Sequence, residues 1–206
     1  RGLGDVYKRQ LLKGSKYEIP LTVDLFTGLH EGELLGLMWD CVDFEKGTIL
    51  VNKQLRRSRR KGGTYYFSPP KNNKSRTITP APYVMKLLQA QKGQQTRQRL
   101  MAGPAWEDSG LVFTNEFGRY VSYRAIFDSF KRIVKRIDLP DARIHDLRHT
   151  YAVNCIRAGD DIKTVQSNLG HATAAFTLDV YGHFTDDMRS VSAQRMEGFI
   201  TNVLNL

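Results

Sequence analysis

His145-Asp146-Leu147-Arg148-His149-Thr150, followed by Leu169-Gly170-His171 and by Leu178-Asp179-Val180-Tyr181-Gly182-His183, is the densest run of chemistry-bearing side chains in this sequence of 206 residues. His145 and Arg148 stand three apart, so they share one helix face. Leu147, Tyr151, Ala152, Cys155 and Ile156 recur with helical period, and Gly159 closes that helix. Asp161 caps the next helix and Gly170 ends it, so His171 follows a helix end, where a loop can present it to a ligand. Tyr181 stands ten residues further on and is followed at once by Gly182. A single His or Tyr is usually structural or merely exposed. The order and spacing of the three pieces on a basic chain give them meaning together.

Outward from this run, the pattern is helical on both sides of a small β region. Residues from about Ile19 to Trp39 hold two short helical patterns around a Thr27-Gly28-Leu29 turn. Glu31 and Glu33 favour the start of the second, and Leu34, Leu35, Leu37 and Met38 form its apolar face. Asp40 to Lys46 is a polar break. Three β-prone runs follow, Thr48 to Gln54, Thr64 to Phe67 and Arg76 to Thr79, which predict one three-stranded antiparallel sheet. A basic loop of Arg56, Arg57, Arg59, Arg60 and Lys61, ending in Gly62-Gly63, joins the first two, and the turn-rich Pro69-to-Ser75 segment joins the second pair. Pro82 to Leu100 reads as a polar helix ended by Gly103-Pro104. Ser122 caps a helix with Ile126, Phe127, Phe130, Ile133, Val134 and Ile137 on one face. Thr185-Asp186-Asp187 opens a last helix whose stripe is Met188, Val191, Met196, Phe199, Ile200 and Val203. The expected fold class is mainly α with a small three-stranded antiparallel sheet (α+β). One domain is expected over residues 11–206, with residues 1–10 expected to be a non-native or disordered start.

Composition narrows the function classes. Hydrophobic residues at 41% and charged residues at 25% suit a globular domain. No run approaches the roughly 18 to 20 apolar residues of a membrane span, and no signal-peptide pattern opens the sequence, which points to the cytoplasm. Cys41 and Cys155 lack metal-ligand spacing and read as free thiols. Thirty-one Lys plus Arg against 21 Asp plus Glu give a net charge of +10 and a pI of about 9.7. Such an excess favours a polyanion, because neutralised phosphates release their condensed counterions. A basic amphipathic helix of the membrane-lying kind is missing, so nucleic acid leads over an anionic membrane surface.

The blocks at 145–150, 169–171 and 178–183 resemble the C-terminal signature of tyrosine recombinases, most closely the integrases of phages and conjugative transposons. Phe26-Thr27-Gly28-Leu29-His30-Glu31-Gly32-Glu33-Leu34-Leu35-Gly36-Leu37 resembles the first motif of that family, and Lys71-Asn72-Asn73-Lys74-Ser75-Arg76 resembles the loop carrying its catalytic lysine. The resemblance spans nearly everything from Ile19 to Leu206. It implies the tyrosine recombinase catalytic-domain fold and site-specific DNA recombination, the integration or excision of a mobile element. Tyr181 would attack phosphorus and form a 3′-phosphotyrosyl link. Arg148 would grip a non-bridging oxygen, His145 and His171 would stabilise developing charge or move the tyrosine's proton, and Lys71 would protonate the departing 5′ oxygen, with Lys74 the alternative in the same loop. The resemblance implies no cofactor, neither ATP nor metal. Glu33 matches a supporting acidic position, and it also reads as an ordinary helix-start charge. A type IB topoisomerase and a binding-only regulator are the alternative classes.

The first motif departs from the family at His30, where arginine is usual. A neutral imidazole offers one donor where guanidinium offers five. Three accounts are open: an inactivating change, an imidazole that works when protonated, or another basic residue in its place. Expected DNA contacts are Arg56, Arg57, Arg59, Arg60, Lys61, Lys74, Arg76, Arg119 and Arg124, with Lys131 and Arg143 as further candidates. The resemblance further implies double-stranded DNA as partner, with no membrane. It implies dimer or tetramer assembly on DNA, in which the C-terminal helix (186–204) packs on its own domain or on a neighbouring protomer. The family's N-terminal DNA-binding domains are expected to lie outside this sequence.

Overall fold

The computed structural model describes residues 12, 14–58, 63–71, 73–170 and 185–204. Helix α1 (Glu18–Thr27) runs between two cores, with seven of its ten residues buried although Thr22, Asp24 and Thr27 are polar. Val23 joins a core of Leu34, Leu37, Ile49, Val51, Ile78, Val84, Leu88 and Phe113, while Leu21 and Leu25 join a second core of Leu35, Val121, Ile126, Phe130, Ile133, Val134 and Leu147. One helix thus serves two cores. Gly28 ends it in the left-handed region, at φ 61, and α2 (Glu31–Leu35) begins after His30.

Strands β1 (Val42–Asp43), β2 (Thr48–Val51), β3 (Gln54–Arg57), β4 (Tyr65–Ser68) and β5 (Arg76–Ile78) follow. They correct the expected sheet. A three-stranded antiparallel sheet is present, but its order is β1-β2-β5, with Val42 opposite Ile49 and Ile49 opposite Ile78. The Thr64-to-Phe67 run is not in it. Instead β3 and β4 form a separate antiparallel ribbon, with Arg56 opposite Tyr66 and Arg57 opposite Tyr65. Two glycines explain the split. A Cβ at Gly32 would lie 2.9 Å from the Leu55 carbonyl oxygen, and one at Gly36 would lie 2.7 Å from the Leu55 amide nitrogen. Only bare backbone lets α2 approach β3 this closely, and that contact carries the chain away from β2 after Val51. The β1 edge lies inside the segment expected to be a polar break.

The remaining helices start and stop as their caps dictate. These are α3 (Pro82–Ala102), α4 (Tyr123–Lys135), α5 (His145–Ala158), α6 (Ile162–Leu169) and α7 (Thr185–Leu204). The Ser122 hydroxyl accepts from the Ala125 amide at 3.2 Å and the Asp161 carboxylate from the Thr164 amide at 3.0 Å. Gly159 and Gly170 end α5 and α6 in left-handed conformations. Both cysteines are free, and among the described residues no helix is long and apolar enough to cross a membrane.

Gly28 is the tightest point of the fold. A Cβ there would fall against the Tyr151 ring and 2.8 Å from the Leu169 side chain, at a φ that also disfavours any other residue. Gly28→Ala should therefore destabilise the domain by about 1–3 kcal/mol in urea unfolding, and an unchanged midpoint would contradict this packing.

Candidate active site

A cleft of about 660 Å³ opens between α1, the start of α2, the β3–β4 ribbon and the start of α5. His30, Arg56, Arg57, Lys71, His145 and Arg148 all line it, together with two acids, Asp24 and Glu31. Residues 118 positions apart meet there because α1 packs on α5.

Arg148 is the buried cation of the cleft, 1% exposed. One Nη donates to the Gly28 carbonyl and the other to the Leu169 carbonyl at 2.6 Å. The guanidinium therefore bridges the turn after α1 and the end of α6. Burial pushes its pKa down to about 10, with Glu33 the main opposing influence, so it is a cation at neutral pH. His145 opens α5, and its ring stacks near that of His30, with centroids 6.0 Å apart and planes 19° apart.

His30 itself is held from both sides. Its backbone N–H donates to Glu33 Oε2 at 2.9 Å, which fixes the entry into α2. Burial first, and then the charge of Arg148, push its imidazole down to about 4. These two influences keep the ring neutral at physiological pH. His145 is lowered in the same way, by burial and then by Arg148.

Arg76 corrects an expectation. Read as a DNA contact, it is turned inward. Its Nη1 and Nη2 donate to the two Glu33 oxygens at 2.8 and 2.7 Å, and its Nε donates to the Asn168 carbonyl at 2.8 Å. Glu33 is 3% exposed, so its charge is answered by a bidentate partner rather than by water. Glu33 is therefore more than a helix-start charge. Of the lysine pair in the turn after β4, Lys71 lines the cleft and the exposed Lys74 does not. Arg56 and Arg57 are strand residues on its wall rather than loop residues. Arg119 and Arg124 lie away from it, paired with Glu107 at 2.5 Å and Asp128 at 2.9 Å. Lys131 donates to the Pro140 and Ala142 carbonyls, and Arg143 pairs with Asp146. His171, Tyr181, Arg59, Arg60 and Lys61 lie outside the described residues.

Two members of the cleft were not expected as site residues. Asp24 is 2% exposed on α1, and Glu31 is half-buried beside it. The signal for Asp24 is an acid inside the apolar window Leu21, Val23, Leu25.

The profile of the phage integrase family matches residues 13–188. The chain belongs to the phage integrase family. A curated relative, the XerC-like tyrosine recombinase of Caldanaerobacter subterraneus subsp. tengcongensis, is 30% identical over 185 residues, covering 85% of this chain and 47% of that protein. The Tn1549 transposon integrase, solved in complex with transposon right end DNA, matches with a TM-score of 0.73 at 24% identity, over 92% of this chain and 62% of that one. The catalytic domain of bacteriophage HP1 integrase matches with a TM-score of 0.56 at 19% identity, over 92% of this chain and 90% of that domain. At these identities the two structures speak for the fold alone, which this chain shares with both integrases. The integrase-family chain described here spans about half the length of the curated relatives it matches.

Two tests follow from this geometry. Glu33→Gln should cost about 3–5 kcal/mol in urea unfolding, because it leaves Arg76 buried without its counter-ion; a loss below about 1 kcal/mol, the level of an exposed pair, would contradict a buried clamp. The second is a pH dependence. Burial pushes Glu31 up to about 7, whereas unfolded it ionises at about 4.3. Between those values the folded protein holds the extra proton, so Glu31 makes stability fall as pH rises. His30 acts oppositely from about 4 to about 6.5, where the unfolded chain holds the extra proton. Glu31→Gln should therefore make stability climb more steeply between about pH 4.5 and 7, and an unchanged slope would show that Glu31 is not desolvated.

Proposed function

We propose that this chain is the catalytic domain of a site-specific recombinase that integrates or excises a mobile element by breaking and rejoining DNA strands. The observation that carries the reading is the convergence of Arg148, His145 and Lys71 on one cleft in an integrase-family chain. A phosphodiester repels nucleophiles through its own negative oxygens, so attack needs fixed cations and donors around the phosphorus. Arg148 supplies the charge, and it is held by carbonyls that do not neutralise it. The Tyr181 hydroxyl gives up its proton to His145 or His171 as its oxygen attacks phosphorus, and a new P–O bond forms. The bond to the 5′ oxygen breaks, and that oxygen leaves with a proton from Lys71. The resulting 3′-phosphotyrosyl ester conserves the energy of the broken bond. A 5′ hydroxyl from a second strand then displaces Tyr181, so rejoining needs no ATP.

His30 sets the rate of this reaction. A neutral imidazole stabilises the transition state less than a second guanidinium, which makes the domain a slow member of its class. The same feature favours a second reading, a relative that binds DNA with little or no cleavage. The partner in both readings is double-stranded DNA, held by Arg56 and Arg57 on the cleft wall together with Arg59, Arg60 and Lys61. Assembly as a dimer or tetramer is supported by the last helix, α7, where Met196, Phe199 and Val203 are 59%, 62% and 59% exposed. An apolar stripe left in water is suited to a neighbouring protomer.

A nicked suicide substrate tests the reading, because loss of the short 5′ fragment traps the covalent intermediate. The expected outcome is a protein–DNA adduct mapped by mass spectrometry to Tyr181, abolished by Tyr181→Phe. An adduct on another residue would overturn the mechanism, and complete absence of adduct over long incubation would favour the binding-only reading.

A further inference from the structure

Two buried polar atoms of the cleft lack a hydrogen-bond partner, Oδ1 of Asp24 and Nε of Arg148. They sit on α1 and α5, which pack on each other. The other buried polar side chains of α1 are satisfied: the Thr22 and Thr27 hydroxyls donate to the carbonyls of Glu18 and Val23, each at 2.7 Å. Asp24 is the exception on its helix. A buried polar group left unpaired is costly, and a buried ionised carboxylate without a donor is costlier still. An acid in this position is tolerable if it stays protonated and if something in the cleft accepts its hydrogen bond.

The neighbours favour the protonated form. Glu31 and Glu33 face Asp24 from α2, and Arg148 faces it from α5. Burial and the charge of Glu31, in that order, hold the carboxyl well above the usual carboxylate range, against the pull of Arg148. An un-ionised carboxyl is a donor, and an apolar site that keeps one neutral turns it into an anion-stabilising group. The Arg148 Nε–H is a second donor without an acceptor. A single tetrahedral anion can accept from both.

We propose that Asp24 donates to the phosphate bound beside Arg148, and so is a binding residue of the cleft that works alongside His30. The proposal rests on the cleft being a phosphate site, as argued above. The proton stays on Asp24 throughout. If Asp24 ionised, it would offer only acceptors, pair with Arg148 and repel the anion. Anion binding is therefore strong at low pH and weakens as pH rises through the Asp24 transition.

Sulfate is the probe, since unlike phosphate it keeps one charge state from about pH 6 to about pH 9. Binding is followed in the full chain at the Arg148 Nε–H resonance, identified by its loss in Arg148→Lys. Asp24→Asn, which keeps an N–H donor and cannot ionise, should match the parent within about twofold at pH 6. Asp24→Ala should bind about three- to tenfold more weakly at pH 6, the weight of one hydrogen bond. Full-strength binding by Asp24→Ala at pH 6 would overturn the proposal, as would a loss of about tenfold or more in Asp24→Asn. If Asp24→Ala does not fold, the comparison of the parent with Asp24→Asn decides alone. No response at Arg148 at any pH would overturn both this proposal and the anion-site reading, whereas strand cleavage is judged separately by the Tyr181 adduct.

Discussion

The bidentate pair between Arg76 and Glu33 is the contact on which the site's geometry depends. Arg76 stands on β5, just after the turn that carries Lys71, and Glu33 stands in the first turn of α2. Glu33 also receives the backbone N–H of His30, and Arg76 also reaches the Asn168 carbonyl at the end of α6. One ion pair therefore ties together the lysine turn, the entry to α2 and the helix end that leads to His171. The pair is buried, so its worth lies in geometry more than in net stability: two long side chains hold three backbone segments in fixed relation.

The second theme is how little positive charge the deep part of the cleft holds. The chain as a whole carries +10, yet Arg76 is neutralised by Glu33, and burial keeps His30 and His145 uncharged near neutral pH. Arg148 is left as the buried cation among the described lining residues, with Arg56, Arg57 and Lys71 nearer the rim. Low dielectric makes that one charge count for more than a surface charge would. It also makes any carboxylate nearby a strong competitor, which is why the protonation of Asp24 and Glu31 matters to the cleft.

Much of the architecture was legible in the sequence. The caps at Ser122 and Asp161 and the terminating glycines at 28, 159 and 170 are local signals, written in residues whose physics needs no partner from elsewhere in the chain. The motif residues His30, His145 and Arg148 read as one constellation, and they meet at one cleft. What could not be read depends on tertiary packing. The β region looked like one sheet because strand propensity is blind to neighbours. Close approach of α2 through Gly32 and Gly36 splits it. Arg76 looked like one more basic residue in a basic segment, and nothing local announces that Glu33, 43 positions away, takes its charge. Asp24 was passed over because a lone acid among apolar residues looks like a solvated edge until its helix proves packed on both α3 and α5.

These strands meet at position 30, where the cleft holds a neutral ring beside a single buried guanidinium. What position 30 lacks is a second fixed charge beside Arg148. The most direct measurement is the single-turnover rate of cleavage of a nicked DNA substrate by the native chain and by His30→Arg. The account expects the arginine form to be faster by about a hundredfold or more, the weight of a charge-assisted transition-state contact. Equal rates in the two forms would contradict it.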